Sequence, residues 1–262
     1  MKSSIWKFIK RSLLVLLIAA TIFIVNLLWF KPFSINHFYL KTFAEFAWKN
    51  PQLLSNIGSK LKYDQLNDNS QKANKEQLEL LKKDYAMLKR YNRKDYSGQD
   101  LISYDVLDNF LQARMEDIKF ENYGYSQSQK GGNYMGIISF MSNIHRIDDE
   151  DDTEDYISRL SQVGKSFDNT LIQVKIEQDN GVIPPDFIIK KMLDNMHNIR
   201  DPELQDNELV KDFTSKLDKL TDLDAVTKTK LQQDMKQQML EVVLPAYDRM
   251  IAFYEDLLSQ AD

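Results

Sequence analysis

Cysteine is absent from the 262 residues, and glycine and proline are scarce, with eight and six residues. Without a thiol, these residues offer no disulfide, no thiolate nucleophile, no cysteine metal ligand and no cysteine for a lipoprotein-type anchor. The shortage of turn-forming residues argues against β-sandwiches and barrels. Strand-like alternation of apolar residues is also nearly absent, so the composition predicts an all-α fold.

Acidic residues outnumber basic ones, and the excess is unevenly distributed. The formal net charge is −5, yet Met1 to Lys31 contains five basic residues and no acidic one. The rest of the chain is therefore more acidic than the whole. Phosphate backbones repel such a domain, which argues against nucleic-acid binding. The simplest interpretation is that the charge keeps the domain soluble.

An uncharged run of 19 residues, 12–30, lies near the N-terminus. At 1.5 Å per residue its helix would be about 28 Å long, close to the hydrocarbon thickness of a bilayer. Three basic residues directly precede the run and only Lys31 closely follows it, which predicts a cytoplasmic N-terminus. We therefore expect residues 1–31 to form a single-pass anchor in the inner (cytoplasmic) membrane, with a periplasmic or extracellular domain beyond it.

A cleaved signal peptide is the alternative interpretation of this segment. Its apolar core usually has about 7–15 residues and ends at a site with small side chains. The run here is longer, and bulky Trp29 and Phe30 stand at its end. These features favour an uncleaved anchor.

Apolar residues at three- and four-residue steps predict helices through the rest of the chain, assigned as one helical domain over residues 38–262. The predicted helices cover residues 38–49, 71–91, 101–120, 137–144, 154–179, 187–198, 208–220 and 225–258. Pro245 interrupts the last pattern and predicts a kink. Short connections between most of them predict an antiparallel helical bundle.

Two stretches depart from the helical pattern. Residues 123–136 (YGYSQSQKGGNYMG) contain four of the eight glycines and predict one long Gly/Tyr loop, which is either functional or a surface crossover. Residues 148–155 include seven acidic residues in eight. A calcium loop is one interpretation, but the glycine and ligand spacing of an EF-hand are missing. A helix capped by Asp152 or Thr153 fits better.

No catalytic motif occurs in the sequence. None of the three histidines, His37, His145 and His197, belongs to a His-Glu-x-x-His pattern, so each is expected to be structural or solvent-facing. Nucleophile elbows of the Gly-x-Ser-x-Gly type and glycine-rich phosphate loops are also missing. From these residues alone the prediction stops at a membrane-tethered helical domain, without catalytic or metal-binding residues of its own.

Several segments in order resemble the N-terminal half of the bacterial "domain of unknown function 885" family. They are PQLLSNIG at 51–58 followed by Tyr63-Asp64, SGQDLISYD at 97–105, Asp155-Tyr156 with Ser158-Arg159-Leu160, GVIPP at 181–185 and VLPAYDR at 243–249. Each segment is short, but their order and spacing together are fairly specific.

The resemblance implies a zinc-dependent, helical metallopeptidase whose His-Glu-x-x-His ligands lie in a C-terminal half that these residues do not contain. It therefore predicts a membrane-anchored N-terminal portion that is not catalytic by itself and holds no zinc. A truncated product, a fragment or the partner of a separately encoded catalytic half would each fit. A Gln-and-Gly loop of the family implies that Gln127, Gln129, Gly131 and Gly132 line a substrate cleft.

Two other functions stay open at this stage. One is a non-enzymatic periplasmic binding or scaffolding domain that keeps the fold without the catalytic half. The other is an intact enzyme of an unrecognised type.

Overall fold

The computed structural model describes residues 2–261, with side chains from Trp6 onward, and confirms an all-α fold over that range. The helices are α1 Lys2–Trp29, α2 Ile35–Trp48, α3 Pro51–Asn56, α4 Gln71–Leu88, α5 Gly98–Asp117, α6 Asn133–Asn143, α7 Glu150–Ser161, α8 Val163–Asp179, α9 Asp186–Arg200, α10 Glu208–Asp218, α11 Ala225–Gln238 and α12 Leu244–Leu258. Short 3₁₀ turns lie at Arg93–Asp95, Ile118–Phe120 and Leu204–Asp206.

Helix α1 contains the predicted apolar segment. Trp6–Trp29 has a mean hydropathy of 2.5, and no residue of its most apolar stretch is buried against the rest of the chain. Its length and composition suffice to cross a membrane, and a signal sequence shares that character. The sequence and the structure therefore agree on an N-terminal segment for membrane anchoring or export.

The chain forms two compact units. The first combines residues up to Phe46 with Leu78–Glu116, and the second combines Ala47–Gln77 with the residues from Asp117 onward. Helices α2, α4 and α5 each pass from one unit into the other. The assignment of residues 38–262 as one domain stays a prediction.

The first unit is built where α1 turns into α2. The Asn26 side chain donates to the Lys31 carbonyl and accepts from the Phe33 amide, both at 2.9 Å, and so closes the turn between the helices. The Tyr91 hydroxyl donates to the Pro32 carbonyl at 2.8 Å. Phe38, whose ring packs at a tilt against the Tyr91 ring with centroids 5.8 Å apart, is fully buried.

The second unit contains the larger apolar core. Helix α12 packs against α8 and α9, and α11 packs against α7. Aromatic side chains fill the centre, where Phe167 meets the Tyr247 ring edge-on at 5.1 Å and Tyr247 donates its hydroxyl to the Tyr134 carbonyl. Such burial gives this unit a closed core of its own.

The prediction of a single helix over residues 154–179 was wrong. Helix α7 begins at Glu150, and Asp149 rather than Asp152 or Thr153 is its cap, accepting from the Asp152 amide at 2.9 Å. Gln162 then separates α7 from α8. Its side chain bonds to backbone groups of residues 64 and 66, which a periodicity argument cannot detect.

The interruption predicted at Pro245 takes the form of a π-helical turn. Met239–Val243 is wound as π-helix between α11 and α12. Proline lacks an amide hydrogen and its ring collides with the carbonyl four residues earlier. A wider turn directly before the proline relieves both problems without ending the helix.

Candidate functional site

Helix α8 presents a continuous polar face within the second unit. Its members share three- and four-residue spacing, which places them on one side of the helix. They are Ser166, Asn169, Thr170, Gln173 and Glu177 of α8, together with Gln162 directly before its first turn. Two segments of the chain, residues 64–71 and 121–133, are hydrogen-bonded to this face; the first ends where α4 begins, at Gln71, and the second where α6 begins, at Asn133.

The first segment, residues 64–71, attaches through both backbone and side chains. Gln162 donates to the Asp64 carbonyl at 2.7 Å and accepts from the Leu66 amide at 3.0 Å. Asn69 donates to the Ser166 carbonyl at 2.9 Å and to the Thr170 hydroxyl at 3.1 Å. These bonds hold a loop of low regularity in a defined position on the helix.

The second segment, residues 121–133, is the observed form of the Gly/Tyr loop. Asn133 donates to the Ser166 hydroxyl at 2.9 Å and to the Thr170 hydroxyl at 3.0 Å. Farther along α8, the Ser126 amide and hydroxyl donate to the Glu177 carboxylate, each at 3.2 Å. The α8 face thus connects two loops that are distant in sequence.

A groove of about 290 Å³ opens where the first segment meets α8. It is lined by Gln65, Leu66, Asn67, Asp68, Asn69, Gln162, Lys165, Ser166 and Asn169. Five of these nine residues are Asn or Gln, and a side-chain amide can offer both donors and an acceptor. We call this region the α8 groove.

Charged groups at the α8 groove are those of Asp68 and Lys165, both exposed. The Asp68 carboxylate accepts from the Ser70 amide at 2.9 Å. That bond, with the nearby Lys165, holds the pKa of Asp68 below its usual value. The groove therefore carries one cation and one fixed anion beside neutral amides, which suits a ligand with both donors and acceptors.

Of the four predicted cleft residues, Gln127 and Gly132 lie against each other within the loop. Gln127 is only 7% exposed, and its side-chain Oε1 atom accepts from the Asn133 backbone amide at 2.7 Å. Gly132 has φ +152°, and a Cβ there would lie 2.3 Å from the Gln127 Oε1 atom. The loop needs glycine at this position because any side chain would displace Gln127.

Gln129 and Gly131 belong to a tight turn beside that contact. The Ser128 amide donates to the Gly131 carbonyl at 2.8 Å, and Asn195 donates to the Gln129 carbonyl at 3.4 Å. The loop adjoins the α8 face through Asn133, whereas the groove lining comes from residues 65–69 and α8. The assignment of the four residues to a substrate cleft stays a prediction.

A buried cluster centred on Arg159 was not predicted from the sequence. Arg159 is fully buried, and its guanidinium donates to the His145 Nδ1 atom at 2.6 Å, the Ser55 hydroxyl at 2.7 Å and the Gln65 carbonyl at 3.0 Å. Burial lowers its pKa to about 10, which still leaves it charged at neutral pH. The cluster fixes Gln65 at the floor of the α8 groove.

His145 lies at the other end of this cluster. Because its Nδ1 atom accepts from Arg159, the proton resides on Nε2, which donates to the Asp152 carbonyl at 3.0 Å. Burial, reinforced by the Arg159 charge, lowers the pKa of His145 to about 3. The imidazole is neutral and both nitrogens are occupied, so it is placed for structure rather than for proton transfer.

The acidic run 148–155 is used at the start of α7. Lys60 donates to the buried Asp152 carboxylate at 2.6 Å and approaches Asp148 at 3.3 Å. The Asp148 amide also donates to Asp152 at 2.7 Å. Helix capping and one lysine account for these contacts, in agreement with the helix-cap interpretation.

The side chains from Trp6 to Ala261 include no group of three His, Asp or Glu residues able to hold a metal ion. The three imidazoles have separate partners. His37 meets the Phe23 ring edge-on at 5.0 Å, His145 binds Arg159, and His197 lies 3.0 Å from an Asp201 oxygen. The described residues therefore do not fit a zinc site.

A family model for a bacterial protein of unknown function (DUF885) matches residues 51–262. The chain belongs to the DUF885 family. The match includes the α8 groove, the Arg159 cluster and the whole second unit except its first four residues. No curated protein matches the chain.

Two solved structures share the fold of this DUF885 chain. A "putative lipoprotein" from Colwellia psychrerythraea has a TM-score of 0.78 at 18% identity, covering 86% of this chain and 41% of its own. A "putative lipoprotein of unknown function" from Shewanella oneidensis has a TM-score of 0.61 at 14% identity, covering 87% and 38%. The DUF885 chain thus spans less than half the length of either structure.

Proposed function

We propose that this chain is the membrane-anchored, substrate-binding portion of a DUF885 protein that resembles zinc metallopeptidases, and that it is not catalytic by itself. The α8 groove is the observation that carries the proposal. Extended peptides present alternating backbone donors and acceptors, and a groove lined by Asn and Gln can pair with both. The Asp68 carboxylate and the exposed Lys165 would select for charged groups at the ends of the bound segment.

Hydrolysis would need groups from outside the described residues. A zinc hydrolase needs ligands that converge on the metal and leave one position for water. His145 is occupied at both nitrogens, and the other two imidazoles lie with unrelated partners. We therefore assign zinc to the longer relatives of the family, with a separately encoded catalytic half as the expected partner.

Peptide binding tests the groove directly. The full chain, held in detergent micelles, is titrated against fluorescent peptide pools of mixed charge, and anisotropy is measured. Lys165→Glu should weaken saturable binding at least tenfold, since it reverses the charge at the groove. Lys175→Glu is the matched control, because it makes the same change on α8 outside the groove.

Three results would contradict the proposal. Peptide pools without saturable binding would remove the groove as a peptide site. Equal losses in the two lysine variants would show a general charge effect. Stoichiometric zinc with peptide hydrolysis by this chain alone would contradict the non-catalytic assignment.

The second candidate is a binding or scaffolding domain for folded proteins. The apolar core of the second unit favours it, because the helices of that unit bury this core by themselves. Cross-linking in membranes would then capture a folded partner at the α8 groove, while peptide pools would not compete. Peptide competition would instead support the first proposal.

For localisation we propose a retained, single-pass anchor over residues 12–30 with the N-terminus in the cytoplasm. The uneven distribution of basic residues supports this orientation. Alkaline extraction should leave the chain in the membrane fraction, and protease added from outside should digest both compact units. A soluble product lacking residues 1–31 would identify a cleaved signal instead.

A further inference from the structure

Helix α2 buries Ile35 and Phe38 on one side, but it also buries a lysine and exposes large apolar side chains on the opposite side. Leu40 and Phe43 are 66% and 50% exposed, whereas Lys41 is 6% exposed and lies 3.4 Å from Glu45. Asp84 of α4 is buried beside this pair and has its pKa raised to about 6 by burial and by Glu45. A helix that faces water has the reverse distribution.

The beginning of α2 lies alongside the end of α1. The His37 ring meets the Phe23 ring edge-on at 5.0 Å. Phe23 precedes Trp29 by six residues, so the contact lies about 9 Å along the helix from the end of α1. The hydrogen bonds of Asn26 to residues 31 and 33 fix this return of the chain.

We propose that α2 lies in the headgroup region of the bilayer that α1 crosses, with Phe33, Leu40 and Phe43 inserted among the lipid acyl chains. These three residues are named the α2 apolar face. This inference rests on the proposed function of α1 as a retained anchor. Interfacial helices bury their apolar face about 5–10 Å into the headgroup and acyl boundary, which agrees with the depth of the α1–α2 contact.

Lipid is favoured over a protein as the occupant because the α2 apolar face continues directly from the membrane segment. Phe33 is 66% exposed and lies between the two helices, after the exposed Trp29 and Phe30. Aromatic side chains at this level are typical of membrane–water interfaces. Charge contributes little, since the domain is acidic, so insertion should occur in zwitterionic lipid and should not depend on salt.

The absence of cysteine allows a direct test on the full chain. Single variants Leu40→Cys and Phe43→Cys carry an environment-sensitive fluorophore, and the chain is reconstituted in phosphatidylcholine vesicles. Both labels should emit at shorter wavelength than in water. Doxyl-labelled lipid should quench at least half of their fluorescence, whereas aqueous iodide should not quench it. Val226→Cys on α11, which is 80% exposed, is the control and should show the opposite behaviour.

The outcomes separate the inference from the anchor on which it rests. If the chain floats with vesicles but the labels at positions 40 and 43 are quenched by iodide as at position 226, the α2 apolar face is in water and the inference is wrong. Labels shielded from both quenchers would show a protein occupant and would also overturn it. A chain that does not float would overturn the anchor itself. All three labelled sites are exposed, so circular dichroism should show unchanged helicity.

Discussion

Gly132 and Gln127 show how a single glycine can determine the course of a loop. The backbone of Gly132 has a positive φ, and the side-chain oxygen Oε1 of Gln127 occupies the space where a Cβ would project. The same Gln127 oxygen accepts a hydrogen bond from the backbone amide of Asn133, the first residue of α6, and so stabilises the beginning of that helix. The loop conformation and the beginning of α6 therefore depend on one residue without a side chain.

Replacement of Gly132 by alanine should destabilise the second unit by about 2–3 kcal/mol, because it adds backbone strain and displaces a buried amide. Hydrogen exchange of α6 amides measures the loss. Gly131→Ala is the matched control, since a Cβ there meets nothing within 4 Å. Equal exchange in the two variants would contradict the structural role of Gly132.

The sequence predicts that this stretch is a loop, but it does not predict which of the loop residues are buried and which are exposed. Four glycines in one stretch predicted an irregular segment, and the family resemblance pointed to Gln127 within it. Burial of Gln127 and exposure of the α8 groove depend on contacts between segments far apart in the chain. Gln162, Asn69 and Asn133 are polar residues in unremarkable contexts, so no local pattern marks them as neighbours.

Helix α7 shows the same difference between what a local sequence pattern predicts and what contacts between distant segments determine. Its acidic first turn was predicted from the density of carboxylates, whose charge favours a helix N-terminus. Which carboxylate caps was not predictable, since Asp148, Asp149 and Asp152 all precede or begin the helix. Asp149 caps by accepting from the Asp152 amide, while Lys60, which lies about ninety residues earlier, donates to the Asp152 carboxylate and also lies 3.8 Å from an Asp149 oxygen.

Removal of the cap by Asp149→Ala should cost about 1 kcal/mol, because the Asp152 amide would lose its acceptor. Asp151→Ala on the same turn removes the same charge without a capping bond and should cost only a few tenths of a kcal/mol. Urea unfolding of the full chain in detergent, followed by circular dichroism, measures both. A larger loss for Asp151→Ala would show that charge, not capping, stabilises α7.

Most helices were predictable because their apolar periodicity is local. The exceptions are the α7–α8 break and the π-helical turn before Pro245. In the first, a side chain bonds to a distant backbone segment. In the second, the sequence shows where the proline is but not how the preceding turn adapts to it.

At the scale of the whole molecule, each compact unit contains a buried group with a displaced pKa. In the first unit, burial and then Glu45 raise the pKa of Asp84 to about 6, against the smaller effects of Lys41 and Lys83. In the second, burial and then Arg159 lower the pKa of His145 to about 3. Both groups are therefore neutral in the folded protein at pH 5.

The two units should respond oppositely when the pH falls from 7 to 5. Folded Asp84 takes up its proton before the unfolded chain does, so the first unit gains about 1 kcal/mol. His145 is protonated below pH 6.5 only in the unfolded chain, so the second unit loses about 2 kcal/mol. Hydrogen exchange of residues 78–88 of α4 and of α7, corrected for intrinsic rates, follows the two units separately.

Asp84→Asn should abolish the pH response of α4, and His145→Gln should abolish that of α7. Each variant is the control for the other, since the two residues lie in different compact units. Responses of the same sign in both units would contradict the assignment of these two groups.

If α1 is retained in the membrane, as we propose, the hydrogen bonds of Asn26 across the α1–α2 turn leave no flexible linker between the membrane segment and α2. A long linker lets a domain sweep a hemisphere above the bilayer, with a reach that grows as the square root of linker length. Here the two hydrogen bonds of the Asn26 side chain would restrict the height and tilt of α2 above the bilayer. An anchored chain of this kind would reach a partner by lateral diffusion, so a partner held in the same membrane would meet it more often than one free in solution.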